Sequence, residues 1–387
     1  MRMFLAMYFL IYGGMNAVFW LQIRKACALA TTGTVGVSLW LLLMIFAPFL
    51  TRLLIRYDWL QIASLSAYVG FTWMGLVFSF LILTAILYLL MIPVSLVGAC
   101  FKRPVGLDVV ARPIFWIGCV YMAVVFVVGY LHADQLETVE LEVPLNRAIQ
   151  QFQPVRIVQI SDVHLGLTTI NQRIRTLTQT AKSLRPDLLV VTGDLIDGPM
   201  SPEQEETLAA WFREIEAPLG RFFILGNHEM YEGIKHSERF AKAAGLRLLR
   251  NEIVQVTDWL EVAGIDDPTL LERSGQKTLR DVELLPTRSA ERARLYLKHR
   301  PIVEAEAVDR FDLQLSGHTH SGQIFPFKYV TEKFTSHPCG LHRVGSAWFY
   351  HSRGSGTWGP PIRFMNPPEV TLLHLTRASE TAAIAAD

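Results

Sequence analysis

The stretch VRIVQISDVH, residues 155–164, joins an apolar, β-branched run to two polar side chains, Asp162 and His164. The apolar run itself, residues 155–160, predicts a buried strand. Similar runs occupy residues 188–192, 222–225 and 311–315. Helical patterns lie between them, at residues 171–184 and at 202–215, the latter with Ser201 as a predicted N-cap. Alternating strands and helices predict an α/β domain.

Each of these four strands is followed by residues that can bind a metal ion. In chain order they are Asp162 and His164, then Asp194 and Asp197, then Asn227, His228 and Glu229, and finally His318 and His320. Functional residues of α/β sheets gather beyond the carboxyl ends of the strands, so we expect these side chains to meet at one edge. Carboxylates, imidazoles and an amide oxygen suit Mn, Fe, Zn or Mg, and the set is too large for one ordinary site.

Two divalent metal ions are therefore expected. A carboxylate such as Asp194 can bridge a pair of ions about 3.5 to 4 Å apart, which generate hydroxide at neutral pH and hold both oxygens of an in-line displacement. A phosphate ester is the natural electrophile for such a centre. Asp197 precedes Gly198-Pro199 and is expected to be mainly a structural turn residue, with orientation of the Asp194 loop or of a metal-bound water as the alternative. Asp266 and Asp267 are likewise expected to be structural.

The motifs that carry this chemistry resemble those of the calcineurin-like metallophosphoesterase family. They are Asp162-Val163-His164, Gly193-Asp194-Leu195-Ile196-Asp197, Gly226-Asn227-His228-Glu229, an isolated histidine, and Gly317-His318-Thr319-His320. The resemblance covers about residues 154–376. It implies a four-layer sandwich, in which two mixed sheets are flanked by helices, and a metal-dependent phosphoesterase activity.

The resemblance also implies a ligand set and a catalytic histidine. One metal ion would be held by Asp162, His164, Asp194 and His320, and the other by Asp194, Asn227, His299 and His318. His228 would protonate the leaving oxygen or stabilise the charge of the phosphoryl group. His299 is the isolated histidine, because it follows the apolar run 295–297 and precedes Arg300-Pro301; a surface histidine in a charged stretch is the alternative.

Residues 316–323 and 352–369 more narrowly resemble the membrane-associated bacterial branch of this superfamily, which includes UDP-diacylglucosamine pyrophosphatase-like and phosphodiesterase-like members. The chain departs from that branch at Ser321 and Ser355, which affects only the shape of the substrate rim. Candidates for gripping a phosphate are His351, Arg353 and Arg363, with solvated or ion-paired arginines as the alternative. The aromatic residues Trp348, Phe349, Trp358 and Phe364 are expected in the core of the closing sheet, with a lipid-facing rim as the alternative.

The first third of the chain has almost no charge. Residues 1–133 hold eight of the 36 basic and two of the 35 acidic residues, and the remainder has the balance of a soluble domain. Uncharged runs over residues 3–23, 26–51, 59–101 and 113–133 reach the roughly 20 apolar residues that a membrane span needs. This composition excludes an all-soluble protein and disfavours nucleic acid as a partner, since no surplus of cations is available for phosphates.

The run 59–101 leaves the number of spans at four or five. As one helix it would be about 65 Å long, twice the hydrocarbon core, so two passes with a turn near residues 66–72 are favoured over an interfacial helix with a single span. In the five-span count the cytoplasmic side carries Arg2, Arg52, Arg56, Lys102, Arg103 and Arg112, against Arg24 and Lys25 outside. Both counts place the C-terminal half outside the cytoplasm.

These patterns predict a multi-pass protein of the cell membrane with an N-terminal all-α transmembrane bundle of four or five helices (1–133), a linker or edge strand (134–153), the α/β four-layer sandwich (154–377) and a flexible tail (378–387). The predicted function is hydrolysis of a phosphodiester or pyrophosphate by metal-bound hydroxide. A phospholipid or glycolipid is slightly favoured as substrate over a soluble nucleotide, since a docked edge strand would keep the site near the bilayer. The rival prediction is a non-enzymatic membrane sensor or scaffold that retains the fold.

Overall fold

The computed structural model describes residues 2–101, 106–145, 147–269 and 279–378. By its contacts the chain divides into two compact units. One comprises Met1–Leu131 and Gly359–Phe364, and the other comprises His132–Trp358 and Met365–Asp387. Lys102 and Arg103 lie outside the described residues, as does the predicted flexible tail, 378–387, apart from Ala378.

The first unit is built from four helices that are long and apolar enough to cross a membrane. The first, α1, consists of Arg2–Tyr8, a π-helical segment Phe9–Gly13, and Gly14–Ala26; the others are α2 (Thr31–Arg56), α3 (Leu60–Cys100) and α4 (Leu107–Ala133). Most of the exposed large apolar side chains in the described chain lie on these helices, as a lipid environment requires. The membrane region predicted from the composition is therefore confirmed.

The turn predicted near residues 66–72 is wrong, because α3 continues through it. The small residues in this stretch pack against α2 instead of bending the chain. A Cβ atom added to Gly70 would lie 2.6 Å from the Cβ of Ala47, and the Thr51 hydroxyl donates to Ser66 Oγ at 3.0 Å. Small side chains that admit a close neighbouring helix are typical of membrane helix pairs. The favoured count of five spans is therefore wrong, and the described residues contain four candidate spans.

The second unit contains two six-stranded sheets. The first sheet has the order β1-β12-β2-β3-β4-β5, with β1 at Glu137–Leu145, β2 at Val155–Ile160, β3 at Leu188–Val191, β4 at Arg221–Phe223, β5 at Arg247–Leu248 and β12 at Glu369–Arg377. β12 runs antiparallel to β2, and the other neighbours are parallel. The predicted strand 155–160 coincides with β2, and β3 and β4 overlap the next two predicted strands.

The second sheet has the order β10-β11-β9-β8-β7-β6. Its strands are β6 (Glu252–Gln255), β7 (Leu260–Gly264), β8 (Ala293–Leu297), β9 (Leu313–Ser316), β10 (Gly340–Val344) and β11 (Ala347–His351). The four central strands are parallel, and the outer pairs β10–β11 and β6–β7 are antiparallel. Both sheets are thus mixed, with parallel centres whose carboxyl ends form a common edge.

Apolar side chains fill the space between the two sheets and cover their outer faces. Ile157 and Val190 of the first sheet share a buried cluster with Val262, Leu295 and Leu315 of the second. The helices α5 (Asn171–Ser183), α6 (Pro202–Arg213), α7 (Asn227–Glu232), α8 (Ile234–Ala244) and α9 (Asp281–Leu284) complete this part of the unit.

Helices α5, α6 and α8 cover the outer face of the first sheet, where Leu177, Phe212 and Phe240 are buried. A smaller cluster around Tyr296 and Phe311 covers the outer face of the second sheet. The architecture is the predicted α/β four-layer sandwich.

Strand β1 lies within the predicted linker or edge strand, residues 134–153. It pairs with β12 in parallel from Glu137, opposite Glu369, to Leu145, opposite Arg377. Because α4 ends at Ala133, three residues separate the last membrane helix from the first strand of the sandwich.

Candidate metal centre

Seven polar residues follow the carboxyl ends of five strands and converge at one edge of the sandwich. They are Asp162 and His164 after β2, Asp194 after β3, Asn227 after β4, His299 after β8, and His318 and His320 after β9. All seven are the ligands expected from the family resemblance, and all except the half-buried His318 are buried. Both sheets contribute, so the cluster depends on the sandwich being complete.

The first group of ligands surrounds a point between two histidines. His164 Nε2 lies 2.9 Å from His320 Nε2, and Asp162 Oδ1 lies 3.8 Å from His320 Nε2. Asp194 Oδ2 lies 3.8 Å from His164 Nε2. Two bonds of about 2.1 Å at a right angle would separate two nitrogen ligands by about 3 Å, so the facing ring nitrogens fit a shared metal ion.

The second group surrounds His299. Its Nε2 atom lies 3.1 Å from Asp194 Oδ2, 3.1 Å from His318 Nδ1 and 3.2 Å from the side-chain oxygen of Asn227. This donor set of one carboxylate, one amide oxygen and two imidazoles also suits a divalent ion. Asp194 Oδ2 belongs to both groups, which is the arrangement required of a bridging ligand.

Backbone contacts fix the orientation of these ligands. His299 Nδ1–H donates to the carbonyl oxygen of Thr192 at 2.8 Å, which leaves Nε2 to face the cluster. The backbone N–H of His318 donates to Asp162 Oδ1 at 2.8 Å, and the Ser161 hydroxyl donates to the same carboxylate at 2.5 Å. Candidate ligands held in this way already have the orientation that a metal ion would require.

Mutual charges shift the pKa values of the buried cluster in opposite directions. Burial acts to raise the pKa of Asp194, but the charge of His299 and its hydrogen bond hold that pKa well below its usual range. Burial acts to lower the pKa of His299, but Asp194 raises it to about 10. Burial and the charge of His299 lower the pKa of His318 to about 3. Because a metal ion competes with protons for these atoms, binding a cation here would release a proton.

Five of the seven ligand residues have a left-handed backbone conformation. Their φ angles are 54° at Asp162, 55° at His164, 52° at Asp194, 82° at His318 and 50° at His320. Non-glycine residues rarely adopt this conformation, and such strain concentrates at functional sites. Surrounding hydrogen bonds must therefore hold these loops in place.

Glu229 supplies the densest set of such bonds, although the sequence indicated it only as one of the strand-end residues that can bind a metal ion. Its fully buried carboxylate accepts N–H groups from Asp194 at 3.0 Å, Leu195 at 2.5 Å, Ile196 at 2.9 Å and Gly226 at 2.7 Å. Burial and the charge of Asp194 raise its pKa to about 7, against the opposing effect of the N–H donors. The sequence does contain a signal for this role, because Glu229 lies three residues after the helix N-cap Gly226, a position from which a glutamate side chain commonly accepts a backbone N–H.

Asp197 does more than the turn role expected of it. Its carboxylate contacts His228 Nδ1 through Oδ1 and lies 3.2 Å from His164 Nδ1 through Oδ2. Burial acts to raise the pKa of Asp197, but its hydrogen bonds with these two histidines lower it. Burial acts to lower the pKa of His228, but Asp197 and Asp194 raise it to about 9. A predicted ligand and the predicted catalytic histidine thus share one carboxylate.

The three predicted phosphate-gripping residues all have other contacts. Arg353 pairs with Glu369 at 2.6 Å and with Glu137 at 2.8 Å. His351 Nε2 lies 2.8 Å from the hydroxyl of Thr319, between the ligands His318 and His320, and burial lowers the pKa of His351 to about 4.

Arg363 is fully buried in the first unit, where its backbone N–H donates to the carbonyl oxygen of Gly129 at 2.8 Å. The structure does not place Arg363 among the ligand residues of the second unit. A substrate role for His351, Arg353 and Arg363 stays a prediction.

We predict that Glu229→Gln destabilises the sandwich and loosens the ligand cluster. The glutamine side chain has one acceptor oxygen instead of two, and its NH₂ group would face backbone N–H donors that the carboxylate now accepts. The free energy of unfolding should therefore fall by about 2 to 4 kcal/mol. The measurement is thermal unfolding of the full chain in detergent. Glu216→Gln, which changes an exposed glutamate, is the control and should stay within about 0.5 kcal/mol. Equal melting temperatures for both variants would contradict the role of Glu229.

Comparisons with known proteins identify the family of the chain. A family model described as calcineurin-like phosphoesterase matches residues 155–322. An uncharacterized metallophosphoesterase from Aquifex aeolicus is 36% identical over 57% of this chain and 84% of that protein. The uncharacterized metallophosphoesterase YkuE from Bacillus subtilis is 31% identical over 64% of this chain and 87% of that protein.

A relative from Bos taurus is named transmembrane protein with metallophosphoesterase domain. It is 33% identical over 66% of this chain and 61% of that protein. The two bacterial relatives are matched over most of their length, and all seven ligand residues lie within the region matched by the family model. The chain therefore belongs to the calcineurin-like metallophosphoesterase family, as a membrane-bound, metal-dependent phosphoesterase.

Proposed function

We propose that this enzyme hydrolyses a phosphodiester or pyrophosphate carried by a lipid head group, with two divalent metal ions at the candidate metal centre. The observation that carries the catalytic part is the position of Asp194 Oδ2, which lies 3.1 Å from His299 Nε2 in one ligand group and 3.8 Å from His164 Nε2 in the other. One carboxylate oxygen shared by two sets of donors is the arrangement of a two-metal site.

Each group of ligands would hold one ion. One set is Asp162, His164, Asp194 and His320, and the other is Asp194, Asn227, His299 and His318. Mixed oxygen and nitrogen donors are compatible with Mn, Fe, Zn or Mg. When bound, the two ions supply hydroxide from water for attack on phosphorus and neutralise the charge of the phosphoryl group.

His228 would act on the leaving group. Asp197 engages its Nδ1 atom, so Nε2 is the ring nitrogen that can face a substrate. The backbone N–H of His228 donates to Asp194 Oδ1 at 2.9 Å, which ties the ring to the proposed bridging ligand. In this role His228 donates a proton to the leaving oxygen from Nε2, and Asp197 holds the ring in the required orientation.

The connection to the membrane supports a lipid substrate. Three residues link α4 to β1, and β1 is paired with β12 along its whole length. Three extended residues reach only about 10 Å, so the link cannot carry the domain far from the membrane. A substrate anchored in the same bilayer would meet this enzyme at a higher effective concentration than a freely diffusing nucleotide.

The phosphoesterase unit would lie outside the cytoplasm. With four spans, the loops on the side of Lys102, Arg103 and Arg112 also include Arg24 and Lys25, whereas the opposite side carries Arg2, Arg52 and Arg56. Five cations against three favour the first side as cytoplasmic. The chain after α4 then emerges on the other side.

We predict that the full-length protein, purified in detergent, hydrolyses bis-para-nitrophenyl phosphate when Mn²⁺ is supplied and loses this activity with a chelator. Asp194→Asn removes the charge of the proposed bridging ligand, so kcat/KM should fall by at least about a hundredfold. Release of nitrophenol measures the rate.

Asp258→Asn is the matched control, because it removes a carboxylate from an exposed position outside the cluster. Its activity should equal that of the unaltered protein. Full activity in Asp194→Asn would contradict the two-metal proposal, and metal binding without turnover of any phosphate ester would contradict hydrolysis.

We predict that alkaline phosphatase fused after Asp387 is active in a bacterial host and that green fluorescent protein fused at the same position is dark. Alkaline phosphatase becomes active only outside the cytoplasm. Green fluorescent protein that is exported in the unfolded state does not become fluorescent there. A chain truncated before α4, which has one span fewer, should reverse both readouts. An inactive alkaline phosphatase fusion together with a fluorescent green fluorescent protein fusion, both on the full-length chain, would place the enzyme in the cytoplasm and contradict the proposed topology.

A further inference from the structure

The phosphoesterase unit carries an unusual concentration of exposed apolar side chains. Among its described residues, nine large apolar side chains are exposed. Five of them lie within ten residues: Phe325, Phe327, Tyr329, Val330 and Phe334. The remaining four are Tyr231, Ile302, Trp358 and Met365. We call the first five the apolar segment. A group of exposed apolar side chains of this kind indicates an interaction site.

The apolar segment begins five residues after the ligand His320. It includes a short helix, α10 (Lys328–Thr331), and a 3₁₀ turn, Glu332–Phe334. Phe334 is 80% exposed and Tyr329 is 59% exposed, so neither side chain serves the core. The Phe325 and Tyr329 rings pack edge to face with centroids 6.0 Å apart, which orders part of the segment without burying it.

Two contacts connect the loop that precedes this segment with His228: Gln323 is hydrogen-bonded to Trp358, and the Trp358 ring packs against His228. The Gln323 side chain donates to the carbonyl oxygen of Trp358 at 3.0 Å and accepts the Trp358 backbone N–H at 2.8 Å. The Trp358 ring, 54% exposed, lies edge-on to His228 with centroids 5.6 Å apart. Tyr231, 49% exposed, lies edge-on to His228 with centroids 5.4 Å apart. Exposed apolar surface therefore borders the proposed catalytic histidine.

The composition of the segment matches the interface of a bilayer. Within residues 325–334 the apolar side chains are interspersed with Lys328, Glu332 and Lys333. Both lysines are exposed, and Lys328 Nζ lies 3.7 Å from a carboxylate oxygen of Glu332, which leaves Lys333 as the lysine without this partner. Lysine stems pack along apolar surface while their charged ends reach phosphate head groups, and aromatic side chains favour the same depth. The four membrane spans keep a bilayer present at all times. The bilayer itself can therefore cover this exposed apolar surface, without a soluble protein partner.

We propose that the apolar segment docks into the interface of the bilayer and holds the metal centre at the level of the lipid head groups. Docking itself is independent of the reaction, whereas delivery of a lipid-borne phosphate ester to His228 rests on the proposed function. Phe334 and Val330 enter the lipid, Lys333 contacts head-group phosphates, and Trp358 with Tyr231 flanks the path to the metal centre.

The first test does not depend on activity. The full-length protein, one copy per nanodisc of phosphatidylethanolamine and phosphatidylglycerol, carries benzoylphenylalanine in place of Phe334 or, as the control, Lys182. Lys182 is 52% exposed at the C-terminal end of α5, the opposite edge of the parallel strands from the metal centre. On irradiation, the analogue at position 334 should form lipid adducts and the one at 182 should not. Equal or no lipid labelling at both positions would overturn the proposal.

The same labelled protein in detergent, without nanodiscs, tests the competing occupant. A covalent dimer formed through position 334 in high yield would assign the apolar segment to a second copy of the chain and overturn the proposal. Protein that remains monomeric after irradiation supports the lipid assignment.

The second test measures delivery of substrate. In the same nanodiscs, Val330→Ser with Phe334→Ser should lower kcat/KM for a lipid-borne nitrophenyl phosphodiester by about tenfold and leave that for the soluble ester unchanged. Val330→Leu with Phe334→Leu keeps the apolar surface and should restore the lipid activity. Equal losses on both esters would overturn docking as the cause, whereas an unaltered protein that cleaves the soluble ester alone would contradict only the lipid substrate.

Discussion

The buried carboxylate of Glu229 joins two of the loops that carry the candidate metal ligands. It accepts four backbone N–H groups, three from the loop after β3 and one from the turn before α7. A buried carboxylate is costly unless donors surround it, so these two loops have one favourable relative position. That position brings Asp194 and Asn227, one ligand from each loop, into the same cluster. It also opposes the strain of the left-handed backbone at Asp194, which would otherwise relax to an extended or helical conformation.

The two-sheet architecture supplies the remaining ligands. Asp194 comes from the first sheet and His299 from the second, yet their side chains approach to 3.1 Å because the parallel strands of both sheets end at the same edge. Apolar residues between the sheets, such as Val190 and Leu295, therefore stabilise the metal centre as well as the fold. The apolar segment follows the loop of the second sheet that contains His318 and His320. The candidate metal centre and the surface proposed to contact lipid therefore lie at the same edge of the sandwich.

Much of the fold and of the candidate site could be predicted, because strands that end in polar residues give a local signal. β2 coincides with the predicted strand 155–160, and Ser201 caps α6 by accepting the N–H of Gln204 at 3.2 Å. Other features depend on contacts between distant residues. Gly70 and Ser66 suit a turn or a close helix pair equally well, and only the position of α2 decides between them. Likewise, Glu137 pairs with Arg353 across more than two hundred residues, and Trp358, expected in the core, is exposed beside His228.

The central claim is that Asp194 bridges two divalent ions held by ligands from both sheets. Anomalous X-ray diffraction from crystals of the full-length protein grown with Mn²⁺ tests it most directly. The account predicts two anomalous peaks about 3.5 to 4 Å apart. Both should lie about 2.0 to 2.2 Å from an oxygen of Asp194, with His164 and His320 at one peak and His299 and His318 at the other. A single peak, or two peaks without Asp194 between them, would contradict the account.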